Sequence, residues 1–548
     1  MNTSDIVGLQ YETVKHKQAR FLNLVNINSK QFLLLFKKWS WIVLIISGIL
    51  QLLLHWSIEN LFGLICVFSC WTLTNKYVLD HSKLKNYSFS TLILLGFAIT
   101  QYLLPTIFTL VENKYLVYNL KVPNDVFVHS TLAYITIIIS HILYSNSLII
   151  QNIIRPKIQK GMYDISFYKV PSDTQVWIIG MMGLLSMFVS YFYIKEDYNN
   201  YSEGASNKML EGFIPFTYAP YLLVAKRLYG TSEGLKKGYY LKLSLFTLVL
   251  MAIGIGGNAR ALFINGIVSA GIAYFLGLLI GLYDNKLFKA NNIIIAICAV
   301  LLFTGPVADI ATSMVIVRDQ RGSISKSEML IKTLNVYRDK DAIRLYKLAA
   351  NNSLSDWDEH YFDNLFLARF CNLKFNDKSL ELSGKIGVLD EDVRTYSINR
   401  FLSIFPKPVL KLFQFNFDKD KVISSSYGDF LYMKAGGGQN ALGGFRVGQF
   451  AGTGMAAFGW WYLVILGIGI IPVYLLMDSY VFRNKRSNSF CISLAGLLQI
   501  TTIFMFLSLS STSESVMNVF NFIVRGWLQI NVLYYFVYVL SKSLQKLF

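Results

Sequence analysis

The hydrophobic positions of the chain fall into long runs separated by short polar connections. A run of about 20 apolar residues crosses a bilayer only as a helix, because each backbone amide in lipid needs an internal hydrogen-bond partner. Such runs lie at residues 39–56, 58–79, 88–111, 126–150, 175–194, 212–228, 241–257, 261–283, 291–312, 453–482, 488–511 and 519–541. The pattern predicts an all-α, polytopic membrane protein with a bundle of about twelve transmembrane helices.

The distribution of charge gives this bundle an orientation. Only 15% of the residues are charged, whereas soluble domains carry about 25%. The net charge of +18 raises the question of nucleic acid, but the basic residues sit in alternate short connections, which is the positive-inside pattern of a membrane protein. The basic connections contain Lys83, Arg155, Lys226, Lys286, Arg483 and Lys542. We therefore expect no nucleic-acid partner and expect both termini in the cytoplasm.

Four regions follow from this topology. Residues 1–38 form a cytoplasmic leader, 39–311 hold transmembrane helices 1–9, 312–452 form one large outer loop, and 453–548 hold helices 10–12. The loop interleaves aromatic with charged residues and has the composition of a folded, mainly helical domain rather than of a linker.

Local signals predict elements inside the loop. Ser325 to Glu328 has the pattern of a capping box and predicts the start of an amphipathic helix. A second helix is expected from about Asp356. The apolar and basic run 403–417 is interrupted by prolines and predicts an interfacial or re-entrant element at the membrane surface. The glycine-rich run 435–444 lacks the Gly-Lys-Ser/Thr ending of a phosphate loop, so we interpret it as a flexible turn.

Cysteine and histidine usage excludes several kinds of site. Four of the five cysteines lie in apolar runs and only Cys371 lies in the loop, so no disulfide is expected there. No zinc-ligand spacing occurs, and we expect neither a metal nor a cofactor. His141 lies alone in the fourth apolar run, where a packing role is favoured. The apolar runs carry almost no acidic residue, which disfavours an ion-coupled transporter.

Arginines are concentrated at the outward ends of the helices and in the loop, where the positive-inside rule makes them unusual. Guanidinium groups bind phosphate oxygens in a bidentate manner, so we interpret these residues as an anion-binding site. The alternative is that they reach lipid phosphates or pair with loop carboxylates. The candidates for substrate binding are Asn258, Arg318, Arg321, Arg369, Arg400 and Arg446. Arg260 stands out because a tight, glycine-flanked connection presents it beside two helix ends.

The run DWDEHYFDN supplies candidates for proton transfer. His360 and Asp363 are three positions apart and would share one face of a helix. Transfer of a group to a hydroxyl needs a general base of this kind. We therefore name His360, Asp363 and Arg260 as the catalytic candidates. The alternative is a solvated helix start whose acidic residues complement the helix dipole.

The order of these parts resembles the Wzy-type O-antigen or oligosaccharide repeat-unit polymerases. The similarity is carried by the outer turn ending in Gly-Asn-Ala-Arg260, the late outer loop with Pro406 and Pro408, and the segment GQFAGTGMAAFGWWYLVILGIGI at 448–470. The resemblance implies a GT-C-like membrane glycosyltransferase in the bacterial inner membrane.

The resemblance also implies a reaction and its partners. One polyprenyl-pyrophosphate-linked glycan, the donor, is transferred to the terminal sugar hydroxyl of another, the acceptor, with release of polyprenyl pyrophosphate. Membrane lipid and a chain-length regulator protein are the further partners that it implies. In this reaction arginines would stabilise the pyrophosphate leaving group. Two alternatives remain open: an O-antigen ligase-like glycosyltransferase and a lipid-linked glycan flippase.

Overall fold

The computed structural model describes residues 25–26, 30–194, 205–283, 294, 298, 301–320, 324–351, 357–484 and 489–546. Within these ranges eight helices are long and apolar enough to cross a membrane. They are Gln31–Leu54, Ile58–Val78, Ser88–Val111, Pro123–Asn146, Asp173–Tyr193, Tyr239–Gly256, Trp461–Asp478 and Val516–Leu544. The prediction of a helical membrane protein is confirmed at this level.

The other four predicted spans have different forms. Ile214–Tyr229 is a kinked 3₁₀ helix of 16 residues, which at about 2.0 Å per residue extends about 30 Å. Ala261–Leu279 is a regular α-helix. The ninth run is described only in part, and its described portion includes Pro306–Ile316. The run 488–511 contains two short helices, Leu494–Leu498 and Ile500–Phe504. A total of twelve spans therefore stays a prediction.

Smaller elements connect these helices and build the 312–452 segment. The connections include the helices His81–Asn86, Arg155–Asp164 and Ala205–Phe213. The segment and its return to the bundle contain Lys326–Arg338, Lys340–Asn351, Leu367–Phe370, Leu373–Ile386, Glu391–Leu402, Lys407–Leu412, Lys419–Ile423, Tyr427–Tyr432, Met433–Gly437, Gln439–Ala441 and Phe450–Phe458. Three short strands, Val25–Asn26, Val481–Asn484 and Ser489–Ile492, form an antiparallel sheet with the last of them in the centre.

Glycines let the helices approach closely. A Cβ atom on Gly183 would lie 2.2 Å from the backbone nitrogen of Thr217, so the Asp173–Val189 helix packs directly on the 3₁₀ helix. A Cβ atom on Gly452 would lie 2.2 Å from the backbone of Ser379. Small residues at such contacts are the usual means of close helix packing in membranes.

Three of the predicted basic connections meet at one end of the bundle. The Arg155 guanidinium donates to the backbone oxygens of Asn86 and Asp478, and Arg483 donates to the Asn86 side chain. Burial lowers the pKa of Lys85, and the positive charges of Arg483 and Lys30 lower it further. The connections that contain Lys83, Arg155 and Arg483 therefore lie together, whereas Lys286 lies outside the described residues.

The opposite end carries most of the 312–452 segment. Residues 357–386 are bound to the connection 112–122 between the third and fourth spans. Lys121 and Val122 donate their backbone N–H groups to buried Asp377 at 2.7 and 2.8 Å. Burial raises the pKa of this carboxyl group.

Several boundaries differ from the sequence prediction. The first helix begins at Gln31, inside the region assigned to the leader. The tenth predicted span is divided at Gly459, where φ is +55°. Before the break, the helix Phe450–Phe458 packs against the helix Leu373–Ile386. After it, the candidate membrane helix begins at Trp461. The chain can break the helix at Gly459 because glycine adopts a positive φ without steric cost.

The local predictions inside the segment had mixed outcomes. The capping box is confirmed, since the Ser325 hydroxyl accepts from the Glu328 amide and the Glu328 carboxylate accepts from the Ser325 amide. The predicted turn at 435–444 contains three glycines with positive φ. The predicted helix starting at Asp356 is wrong: residues 357–366 have no regular helix, because their polar groups bond to the 112–122 connection instead of to their own backbone. Asp356 itself lies outside the described residues.

Candidate anion-binding site

The turn between the helices Tyr239–Gly256 and Ala261–Leu279 positions Arg260. Asn258 has a φ of +49°, a left-handed conformation that asparagine tolerates better than most residues. Its side-chain amide donates to the Met314 backbone oxygen at 2.8 Å and approaches the Met329 sulfur at 3.8 Å. Asn258 thus fixes the turn to two neighbouring helices, and Arg260 begins the next helix as its N-cap residue.

Two further arginines approach Arg260 from distant parts of the chain. Arg318 follows the Pro306–Ile316 helix, whose end Asn258 contacts. Arg369 lies in the short 3₁₀ helix Leu367–Phe370. The sequence prediction that named these three side chains as parts of one anion site stays a prediction, but the fold brings them within electrostatic range of one another.

The segment before Arg369 is attached to the ninth predicted span. The Asn364 side chain donates to the Thr304 backbone oxygen at 3.0 Å. The rings of Phe303 and Phe366 stack with centroids 4.8 Å apart. These contacts fix the entrance of the 3₁₀ helix and therefore the position of the guanidinium group that follows.

We call Arg260, Arg318 and Arg369 the arginine cluster. The surroundings of these side chains disfavour their positive charge. The pKa of Arg260 is lowered to about 10, first by burial and then by the positive charges of Arg369 and Arg318. The pKa of Arg369 is also lowered, with burial the largest cause; Glu359 opposes this and Arg318 adds to it. Like charges therefore lie close together in a partly desolvated place.

The arginine cluster is also open to solvent. Arg260 is half-buried, whereas Arg318 and Arg369 are exposed. The two exposed guanidinium groups are therefore accessible to a ligand.

Among the residues that the structure describes, the guanidinium groups of Arg260, Arg318 and Arg369 form no ion pair. Glu359 is the carboxylate that acts on both Arg260 and Arg369, and it accepts a hydrogen bond from the Trp357 indole at 2.7 Å. The arrangement can bind an anion that carries more than one charge, such as a pyrophosphate.

His360 and Asp363 are close together as predicted, although no helix joins them. The His360 Nε2 atom lies 3.2 Å from Asp363 Oδ1, without the alignment of a hydrogen bond. Asp363 also accepts from Lys114 at 3.0 Å, and Lys114 pairs with Glu112 at 2.9 Å. Burial lowers the pKa of His360, and the charge of Lys114 lowers it further. The imidazole is therefore neutral at neutral pH.

Two other predicted ligands are held by internal contacts. Arg446 lies 3.1 Å from buried Asp429 and donates to the Ala441 backbone oxygen at 2.8 Å, with its guanidinium 4.8 Å from the centre of the Tyr432 ring. Arg400 donates to the Val422 backbone oxygen at 2.6 Å. Their predicted roles in substrate binding stay predictions. Arg321 lies outside the described residues.

Sequence reasoning missed the carboxyl group of Glu514. Its pKa is raised to about 7, mainly by burial, while the charge of Arg400 opposes the shift. Glu514 directly precedes the last predicted crossing, and its backbone oxygen accepts from Thr453 at 2.8 Å. The available signal was that Glu514 is the sole acidic residue between 479 and 548.

Comparisons of the chain with known protein families, with curated proteins and with solved structures give no match.

Proposed function

We propose that this protein is an oligosaccharide repeat-unit polymerase, a membrane glycosyltransferase that joins polyprenyl-pyrophosphate-linked glycans. The observation that carries the proposal is the cluster of Arg260, Arg318 and Arg369, which come from separate segments, act electrostatically on one another and include two exposed side chains. A dense, unbalanced positive charge beside membrane helices suits a lipid-linked pyrophosphate.

The arginine cluster supports a specific step of this reaction. As the bond between the anomeric carbon and the pyrophosphate oxygen breaks, the electron pair stays with the oxygen and its negative charge grows. Arg260 and its neighbours stabilise that charge and so lower the barrier. The depressed pKa of Arg260 means that an incoming anion also relieves repulsion within the cluster.

The acceptor side of the reaction needs a base. Neutral His360, whose Nε2 faces Asp363, takes the proton of the acceptor sugar hydroxyl at its other ring nitrogen, Nδ1, and the freed oxygen attacks the anomeric carbon. Asp363, 3.2 Å away, stabilises the imidazolium ion that results. His360 lies near the arginine cluster, because the residue before it, Glu359, acts electrostatically on Arg260 and Arg369.

The proposal includes a topology. Eight candidate membrane helices and the four further runs make about twelve crossings in a GT-C-like bundle, with the arginine cluster on the outer side of the bacterial inner membrane. Alkaline phosphatase fused after Asn376 is expected to be active, and the same enzyme fused after Lys485 inactive. The reverse result would overturn the orientation and the mechanism.

The mechanism is tested at Arg260. In cells, Arg260→Ala is expected to reduce polymer synthesis about a hundredfold, a loss of about 3 kcal/mol in the barrier. Arg260→Lys should fail almost as badly, because an ammonium group lacks the bidentate fork. The measurement is polysaccharide length on gels, with single repeat units expected to accumulate.

The matched control is Arg394→Ala. Arg394 is a half-buried arginine of the same segment that lies 3.8 Å from Glu391, and its loss should leave polymer length unchanged. Protein abundance in the membrane is measured for all variants. Full-length polymer from Arg260→Ala at normal abundance would rule out the proposed role.

A further inference from the structure

A cavity of about 270 Å³ lies at the basic end of the bundle, between the turn after the fourth span and the end of the last helix. Lys169 and Ser166 line it from the turn, and the helix Trp527–Leu544 lines it from the other side. We call it the lysine pocket, lined by Ser166, Lys169, Tyr535, Tyr538, Val539, Lys542, Ser543 and Lys546. It lies at the opposite end from the arginine cluster.

The lysine pocket has a strongly positive lining. Lys169, Lys542 and Lys546 contribute to it, and none of its lining residues is an aspartate or glutamate. Lys542 lies in the last turn of the helix Trp527–Leu544 and Lys546 lies just beyond it, where the helix dipole favours positive charge. Lys169 belongs to a different element, so the dipole does not account for its position. Its pKa is lowered, mainly by burial and then by the charge of Lys542.

An apolar stripe on the last helix leads to the lysine pocket. Leu528, Val532, Phe536 and Val539 are exposed on this helix at spacings of three and four residues, so they share one face. Tyr535, also exposed, stands at the edge of the pocket, and tyrosine favours the boundary between hydrocarbon and headgroups. The stripe faces outward and ends where the positive charges begin.

We propose that the lysine pocket binds the phosphate headgroup of an anionic phospholipid whose acyl chains lie along this stripe. The combination of a cationic cavity with an adjoining hydrocarbon surface selects a ligand that has both parts. Basic pockets between transmembrane helices on the cytoplasmic side commonly bind such headgroups. A free phosphate ion would use the cavity but not the stripe. The inference is independent of the proposed transferase activity.

The test uses the purified full-length protein in detergent and native mass spectrometry. The protein is titrated with dioleoyl phosphatidylglycerol, with dioleoyl phosphatidylcholine and with inorganic phosphate. The double variant Lys542→Gln/Lys546→Gln is expected to bind phosphatidylglycerol about thirtyfold more weakly than the wild type. Phosphatidylcholine should bind weakly to both proteins.

A matched variant separates the pocket from general surface charge. Lys236→Gln/Lys237→Gln removes the same charge from two exposed lysines of another basic connection and should retain wild-type binding. Equal losses in the two double variants, or no loss in either, would overturn the proposal. Full displacement of the lipid by inorganic phosphate would also overturn it, because a free anion would then be the ligand. A size-exclusion profile confirms that each variant is folded.

Discussion

Two groups of charged side chains at the same end of the bundle differ in how their charge is balanced. Lys114 contacts both Glu112 and Asp363, so its charge is neutralised inside the protein. The arginine cluster has like charges that lower the pKa of Arg260. Internal pairing indicates a structural role, whereas an unbalanced cluster costs stability and is expected to persist because a ligand needs it.

The largest expected effect is in the balanced group. Lys114→Met removes a buried cation and leaves Glu112 without a positively charged partner, so the free energy of unfolding should fall by about 3–5 kcal/mol. Thermal unfolding in detergent measures the loss. Lys121→Met, at an exposed lysine of the same connection, is the control and should unfold near the wild-type temperature. Equal midpoints for both variants would show that the pairs of Lys114 do not stabilise the fold.

A smaller loss is expected at Asp429. Its carboxylate accepts from the backbone amides of Phe445 and Arg446 at 2.7 and 3.1 Å and from the Arg446 side chain at 3.1 Å. Asp429→Asn weakens these bonds and removes the buried counter-charge, which should cost about 2 kcal/mol. Asp420→Asn, at an exposed carboxylate paired with Lys407, should cost far less. The same unfolding assay compares them, and similar losses would contradict this account.

The arginine cluster is expected to respond in the opposite sense. Arg369→Gln removes a like charge from beside Arg260 and Arg318, so the midpoint of thermal unfolding should stay constant or rise. Polymer synthesis should nevertheless be lost. If the midpoint of thermal unfolding fell as far as that of Lys114→Met, Arg369 would have a structural role like that of Lys114, and the proposed difference between the two groups would be wrong.

Pyrophosphate sharpens the same comparison. Inorganic pyrophosphate at ten times its dissociation constant should stabilise the wild type by about 1.4 kcal/mol. Arg369→Gln should lose this stabilisation, and Arg394→Gln should keep it. Stabilisation of all three proteins to the same degree would mean that the anion binds elsewhere.

The last comparison concerns pH and Glu514. Burial raises its pKa to about 7 in the folded protein, so the carboxyl group favours folding while it is protonated. That contribution is fully present below the ordinary pKa of glutamate, near 4.3, and is lost as the pH rises through 7. Glu514→Gln should therefore stabilise the protein relative to the wild type at pH 8 but not at pH 4. Glu391→Gln, at an exposed carboxylate, should show no such difference between the two pH values.

Some parts of the fold and site were accessible to sequence reasoning. The spans and the capping box at Ser325 depend on patterns within one segment, which a sequence displays directly. The same holds for Arg260, since its short glycine-rich connection is visible in the sequence. The helix expected at Asp356 failed because the acids at Asp358 and Asp363 bond to Asn119 and Lys114, which lie more than 200 residues earlier.

The sequence by itself determined that the chain is built from apolar helices and that its basic connections alternate, because hydrophobic period and charge are local properties. The tertiary structure alone decided which charges are balanced. Asn258 ties its turn to Met314, in the helix that precedes Arg318, and Asn364 ties the Arg369 segment to Thr304. These contacts join residues that are far apart in the chain. Tertiary packing, rather than the neighbours in sequence, therefore decides whether an arginine has a carboxylate beside it.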